Sequence, residues 1–402
     1  TEAAIANSAT NLIPADSLVV ATRIALGRAM RPTVACAINQ DLKALVLGQG
    51  IDPNFMLYWV GAHARDIQDL GSGTTVSGIR LEALHGLPLQ LPPEREQTRI
   101  VEKLEELLCG LDAGVAELKA AQQKLARYRQ SLLKAAVSGE LTTAWRARHP
   151  LKETGAQLLA RILTERRTRW EARQIAKFAQ QGKTPPKDWQ KKYPEPAQPE
   201  TADLPALPQG WVWVSLDQLA AESSYGTSVK CSYEADGVPV LRIPNVVSQS
   251  IDLSDLKQAG EDLKLDASDC LARGDVLVVR TNGSLGLVGR SAAIRTAPNR
   301  PLYFASYLLR LRCVDTSVAH EWIATFMASS MGRRWIEARA ASSAGQHNIS
   351  LSTLLTMPVP LPPQQEQAEA LRCLDAAFEG VGEQEHALNT ALRQSTAQRQ
   401  NL

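Results

Sequence analysis

Residues 87–97 read LPLQLPPEREQ, and residues 357–367 read MPVPLPPQQEQ. The two segments stand 270 residues apart, and six of their eleven positions are identical: Pro88/Pro358, Leu91/Leu361, Pro92/Pro362, Pro93/Pro363, Glu96/Glu366 and Gln97/Gln367. The same shift sets Ile79, Leu81 and Leu84 on Ile349, Leu351 and Leu354, and Leu104 on Leu374. Upstream, after a gap, LVVAT (18–22) matches LVVRT (277–281). A fixed internal period is the mark of a duplicated structural unit.

Each copy ends alike. A short apolar strand runs into Leu-Pro-Pro, where each proline fixes φ and keeps its predecessor out of the α region. A long helix then starts, with Glu94 and Glu96 near the positive end of its dipole. In this helix Leu104, Leu111, Leu118, Leu125 and Leu132 recur every seven residues. Leu107, Gly114, Ala121, Tyr128 and Ala135 fill the partner positions of a coiled-coil seam. From Glu94 to Ser138 it spans about 67 Å at 1.5 Å per residue.

The second helix keeps the register with Leu374, Ala377, Val381, Leu388 and Ala391, interrupted by Gln384 and Ser395. So narrow a stripe needs a partner helix, and the other copy is the nearest one. A pseudo-twofold relation between the copies makes the pair antiparallel, with a globular head at each end. The alternative is two unrelated amphipathic helices, each packed on its own domain.

The expected fold class is α/β (α+β): two globular units linked by two long antiparallel coiled-coil helices. The expected boundaries are a first globular unit at 1–93, its helix at 94–138, a connector helix and Pro-rich linker at 139–203, a second globular unit at 204–363 and its helix at 364–402. The second unit is dense in short β-type runs such as VPVLRI (238–243) and DVLVVRT (275–281), separated by turn residues.

Composition narrows the function. Lys+Arg is 44 against 42 Asp+Glu, a balance that excludes a histone-like polycation and leaves only local basic faces. Residues 276–356 carry nine Arg and no Lys against three acids, whereas residues 217–275 carry five basic and eleven acidic residues. Residues 151–203 hold a mild basic surplus, read either as a solvated connector or as a contact for DNA phosphates or a partner subunit. Six scattered cysteines without a C-x-x-C pair point to reduced cytoplasmic thiols and no metal site. No apolar run reaches the roughly 18 residues of a membrane span.

Catalytic motifs fail one by one. GSLGLVGRS (283–291) lacks the phosphate-loop spacing. DPNF (52–55) comes near an amino-methyltransferase motif but has no glycine-rich cofactor loop ahead of it. Glu117-Leu118-Lys119 looks like a nuclease E-x-K, yet Leu118 is a seam residue.

Taken together, the doubled segments Leu87–Gln97 and Met357–Gln367 with their helices, LLKAAVSGELTTAWRARHP (132–150), ERRTRWEARQ (165–174), KKYPEPAQPE (191–200) and LPQGWVWVSL (207–216) resemble the specificity subunit of type I restriction–modification systems. The resemblance covers nearly the whole chain. It implies two target-recognition domains, each reading half of a split DNA site, and an antiparallel coiled coil that sets their spacing. It implies methyltransferase and helicase–nuclease subunits as partners, with double-stranded DNA and no membrane. S-adenosylmethionine, ATP and Mg would be bound by those partners, and no cofactor by this chain. It also implies no catalysis by the chain itself, in agreement with the failed motifs.

One departure stands out. Residues 211–275 precede LVVRT, but only residues 1–17 precede LVVAT, so the first recognition unit is expected to be N-terminally incomplete. Two rivals remain open: the recognition end of a fused restriction–methylation enzyme, and a coiled-coil adaptor without a DNA role.

Base reading needs Arg, Asn, Gln, Ser or Thr on loops that reach a groove. In the second unit the candidates are Lys230, Arg242, Asn245, Arg280, Asn282, Ser284, Arg290, Gln346 and Asn348. In the first they are Arg23, Arg28, Arg31, Thr74 and Thr75. Each has a plainer reading as a surface or turn-stabilising polar group. Tyr225, Trp211 and Trp213 are candidates for stacking on DNA, although the alternation in WVWV favours a core place for the tryptophans.

Overall fold

The computed structural model of the chain describes residues 5, 10–72, 78–150, 152–247, 249–260, 267–314 and 319–401. Two compact units are present: residues 1–123 with 384–402, and residues 124–383. Each unit combines a head with the parts of the long helices that pair beside it.

The long helices run Glu94–Val137 and Gln364–Asn401. They are antiparallel within each unit. In the first, Arg399 grips Asp112 through two hydrogen bonds (2.7 and 3.2 Å), and Gln122 donates to Asn389 at 2.7 Å. In the second, Leu133 and Ala136 pack on Leu374, and the Arg129 guanidinium lies over the Phe378 ring.

The heptad leucines Leu104, Leu111, Leu118, Leu125 and Leu132 are all half-buried, as is Leu388, while Leu374 and Val381 are buried. The partner positions depart from expectation: Leu107 and Tyr128 are exposed. Two helices cover one narrow stripe, so positions one step off the seam stay wet. Near the end of the first helix the most buried side chains are Leu133 and Ala136, which also meet Leu141 and Ala328 of the head.

Both helices start on one device. Glu96 and Gln97 donate their amides to the Pro93 carbonyl, and Glu366 and Gln367 do the same to Pro363. Gln97 Nε2 donates to the Pro92 carbonyl and Gln367 Nε2 to that of Pro362, both at 2.8 Å. The repeated glutamine locks the Leu-Pro-Pro bend to the first helical turn.

In the first unit the strands order as Ala29–Met30, Leu18–Ala21, Leu42–Leu45, with Asn11–Ile13 paired to Cys36–Ile38. DPNF is a helix start: Asp52 caps Pro53–Ala62, its carboxylate accepting from Asn54 and Phe55 amides, with proline in the first turn.

The second unit repeats that sheet and adds a strand. Its order is Ser291–Ala293, Asp275–Val279, Leu308–Cys313, Ala220–Tyr225. A second sheet holds Tyr303–Phe304, Gly237–Leu241, Lys257–Gly260 and Cys231–Ser232. Helices Ala319–Ala328 and Ser330–Arg339 cover the first sheet, with Trp322 fully buried in the core.

The match of LVVAT to LVVRT slips by one residue. The Ala21 amide donates to the Arg28 carbonyl as the Val279 amide donates to that of Arg290, so Thr22 corresponds to Arg280 and not to Thr281. A one-residue slip in a strand moves each side chain to the other face. Fully buried strands carry no alternation to fix it, and residues 18–22 and 275–279 are all buried.

The two repeated glutamates differ in setting. Glu366 is fully buried and accepts from Trp211 Nε1 (2.8 Å), Thr142 Oγ1 (2.6 Å) and Arg146 Nε (2.8 Å). Glu96 is exposed. Glu366→Ala strands a buried indole N–H and an Arg, so we expect about 3 kcal/mol lost from the second unit. Glu96→Ala should stay within about 0.5 kcal/mol. Urea unfolding followed by tryptophan fluorescence measures both.

Candidate nucleic-acid interface

The second unit presents a small polar ribbon. Gln346–Asn348 pairs on one side with Thr281–Asn282 and on the other with Ala341–Ser343. Ala344 and Gly345, both at positive φ (48° and 76°), turn the hairpin in two residues, the geometry in which a right-twisted hairpin closes. Residues 341–346 are all exposed. A two-stranded ribbon of this kind fits the major groove of B-DNA.

Five predicted residues meet here with Tyr225, itself a stacking candidate. Arg280 Nε donates to Asn348 Oδ1 at 3.1 Å, and its guanidinium lies 4.9 Å over the Tyr225 ring. Its terminal nitrogens, the pair able to fork onto guanine or phosphate, make no hydrogen bond among the described residues. Asn282 Oδ1 accepts the Ser284 amide at 2.8 Å, which shapes the turn and leaves its own amide group to donate. Gln346 is exposed beside Gly283, whose missing side chain opens space 3.7 Å from Gln346 Nε2.

The loop that follows is stapled from below. Arg333 donates to the Val288 and Leu285 carbonyls, and Gly289 turns at φ +78° against Ile336, where any side chain would collide. Arg290, next in the chain, is exposed. The ribbon strands Ala341–Ser343, with Ser342 and Ser343, were missed in the sequence; the signal was Gly345 between short polar runs.

Three candidates lie elsewhere. Asn245 is 1% exposed: its Oδ1 accepts the Arg242 amide, and its Nδ2 donates to the Asp252 and Asp255 carbonyls, so it holds a loop and cannot read a base. Arg242 is paired with Asp255 at 3.1 Å and stacked on Tyr233. Lys230 is exposed ahead of the second sheet, away from the ribbon's strands. The tryptophans are structural: Trp211 bonds Glu366, and Trp213 donates to the Pro205 carbonyl.

Arginine surplus also shrinks on folding. Arg312 clamps fully buried Asp275 through two bonds (2.8 and 2.9 Å). Arg310, 3% exposed, donates to the Ser268 carbonyl, and its burial, reinforced by the neighbouring Arg312 charge, pulls its pKa below the usual arginine range. In the connector helix Gly155–Gln180, Arg166 holds Asp217 and Tyr193, while Arg173 holds Glu222. With Leu158 and Ile162 buried in the core cluster, these pairs dock one face of the helix on the head, so it is not a purely solvated connector.

The first unit builds a shorter version of the same edge. Ile79 donates its amide to the Thr22 carbonyl as Ile349 donates to that of Arg280, and Arg23 bridges Gly78, which bridges Ser72. Arg28 follows Gly27 (φ +79°) as Arg290 follows Gly289, and is exposed. Arg23 lies 3.5 Å from Asp41. Arg31 is engaged with Asp16 and Asn54 and acts as a clamp. Thr74 and Thr75 lie outside the described residues.

Residues 1–115 match the family model described as the type I restriction modification DNA specificity domain. The chain is 24% identical over 370 residues to the StySPI type I restriction enzyme specificity subunit of Salmonella potsdam, covering 91% of this chain and 67% of that one. It is 26% identical over 330 residues to the EcoKI specificity subunit of Escherichia coli K12, covering 81% and 58%. The chain thus spans about three-fifths to two-thirds of these relatives. A chain solved in work on complex assembly and conformational transition of the type I R-M system shares the fold, with TM-score 0.58 at 15% identity, covering 97% of this chain and 81% of that one.

Exposed candidates and structural groups separate on stability. Gln346→Ala and Ser284→Ala should stay within about 0.5 kcal/mol, because both side chains are exposed. Asn245→Ala should cost about 2 kcal/mol, since three backbone groups lose a buried partner. Thermal unfolding of the three variants tests the division.

Proposed function

We propose that this chain, a homologue of the type I restriction–modification specificity subunits, is their DNA-recognition component. It reads a bipartite site and carries out no chemistry itself. The observation that supports this most is the repetition of one backbone pattern at both polar edges: Ile79 to Thr22 with Arg23–Gly78 in the first unit, and Ile349 to Arg280 with Thr281–Asn348 in the second. Each unit thus offers a short ribbon beside an exposed arginine that follows a positive-φ glycine.

On this reading Arg280 and Gln346 contact base edges, while Tyr225 and Asn348 hold the Arg280 guanidinium in place. Arg290 and Arg28 lie on phosphates. The partners are double-stranded DNA, methyltransferase subunits and helicase–nuclease subunits, in the cytoplasm. S-adenosylmethionine, ATP and Mg belong to those partners. No helix among the described residues is long and apolar enough to cross a membrane.

The test is DNA binding by the chain assembled with its methyltransferase subunits. Arg280→Ala should weaken binding to the cognate site about tenfold or more and relax preference at one base pair. Arg290→Ala should weaken all sequences alike and lower the salt slope by about one. Unchanged affinity in the double variant would refute the DNA-reading role.

A further inference from the structure

The connector helix Gly155–Gln180 lies along the head of the second unit and follows it in order. The Gly155 amide donates to the Gly210 carbonyl, Arg166 Nε to that of Ala220 at 3.0 Å, and an Arg173 terminal nitrogen to that of Ala221 at 3.2 Å. The helix therefore advances in the same direction as the strand Ala220–Tyr225. From Arg173 to Gln180 it gains about 10 Å, and the strand gains about as much from Glu222 to Tyr225. The C-terminal end of the helix thus comes level with Tyr225, the ring under Arg280 at the polar ribbon.

Beyond that end the chain turns back as a stiff hairpin. Trp189 returns to stack on Trp170, with ring centroids 5.7 Å apart, and meets Phe178 edge-on. Tyr193 closes against Trp170 and accepts from Arg166. The Lys183 amide donates to the Phe178 carbonyl at 2.9 Å, and Pro185 and Pro186 restrict the tip. Residues 174–192 hold five Lys, no Arg and a single acid, Asp188, which pairs with Lys191. Lys177, Lys183, Lys187 and Lys192 are exposed and make no ion pair among the described residues. The charges that face the head, Arg166 and Arg173, are cancelled by Asp217 and Glu222, and those at the tip are not. An ammonium on a flexible stem meets phosphate as a point charge and lacks the fork that suits guanine.

We infer that the hairpin 174–192 is a sequence-independent clamp on duplex DNA, in which Lys177, Lys183 and Lys187 contact phosphates outside the bases that the ribbon reads. The two features share the Tyr225 end of the head, so a duplex seated on the ribbon brings its flanking phosphates to these lysines. The aromatic stack holds the tip in place before DNA arrives, which reduces the ordering cost of contact. The inference rests on the DNA-binding reading of the second unit and adds to it a contact that carries no sequence information.

The experiment measures how binding depends on salt for the chain assembled with its methyltransferase subunits, on a duplex carrying the cognate site and on one of unrelated sequence. The variant combines Lys177→Gln, Lys183→Gln and Lys187→Gln. All three side chains are exposed, so it folds as the parent does, which thermal unfolding checks. The slope of log K against log salt should fall by about two to three on both duplexes, and affinity by about tenfold or more, with the ratio between the duplexes unchanged. Lys177→Arg, Lys183→Arg and Lys187→Arg together should keep the parent slope. An unchanged slope in the Gln variant, while Arg280→Ala still weakens the cognate site, would overturn the inference and leave the DNA-reading role standing. Equal binding of both duplexes with the fall in slope present would sustain the clamp and overturn the reading. Lost methyltransferase assembly with an unchanged slope would assign the lysines to an acidic protein surface and overturn the clamp. A complex that binds neither duplex would overturn both.

Discussion

A single side-chain hydrogen bond, made twice, sets the direction of everything downstream: Gln97 on the Pro92 carbonyl and Gln367 on that of Pro362. Proline removes an amide donor and locks φ, so Leu-Pro-Pro leaves a carbonyl unpaired where the chain must change from strand to helix. The buried glutamine amide supplies the missing donor and fixes the exit angle of a helix about 66 Å long. A small error at that bend would grow along such a length. Gln97 also accepts the Asp52 amide and donates to the Gly50 carbonyl, so the bend is tied to the cap of the next helix in the head.

The charges follow a second constraint. An arginine that reads DNA must keep its terminal nitrogens free, and one that holds a fold must not. Arg310, Arg312 and Arg333 sit within a sheet or under a loop and spend their donors on carbonyls and carboxylates. Arg280 is intermediate: one nitrogen and the ring of Tyr225 orient it, and the rest of the guanidinium is left over. That arrangement holds the guanidinium in one orientation while leaving its terminal nitrogens available.

What was legible in the sequence was whatever repeats or has a period. The copies of LPP-x-x-EQ, the heptad leucines and the antiparallel pairing they imply all follow from spacing. Register in fully buried strands did not, because LVVAT and LVVRT have no alternating face, and a one-residue offset scores best. Nor did the separation of Asn245 from Gln346. Both are polar residues in turn-rich stretches, and only tertiary placement buries the first under three backbone bonds and leaves the second on a hairpin. Tyr225 was named for stacking on DNA, but its partner in the fold is Arg280, 55 positions away in sequence.

The two copies diverge in the loop at their polar edges. Strands, the positive-φ glycines Gly27 and Gly289, the helix starts and the glutamine locks superpose in role. Between them the loop is residues 23–25 in one copy and 281–287 in the other. In the short loop Ile24 is 79% exposed at φ +63°, with the Ala25 amide on the Arg23 carbonyl at 2.6 Å, a tight three-residue turn that costs a β-branched residue strain. The longer loop spreads the same reversal over Asn282, Gly283 and Ser284 and needs no such residue. The bonds that bracket the loop, Ala21 to Arg28 and Ile79 to Thr22 in one copy and Val279 to Arg290 and Ile349 to Arg280 in the other, are the same at either length. The loop is thereby free to change while the frame around it stays the same.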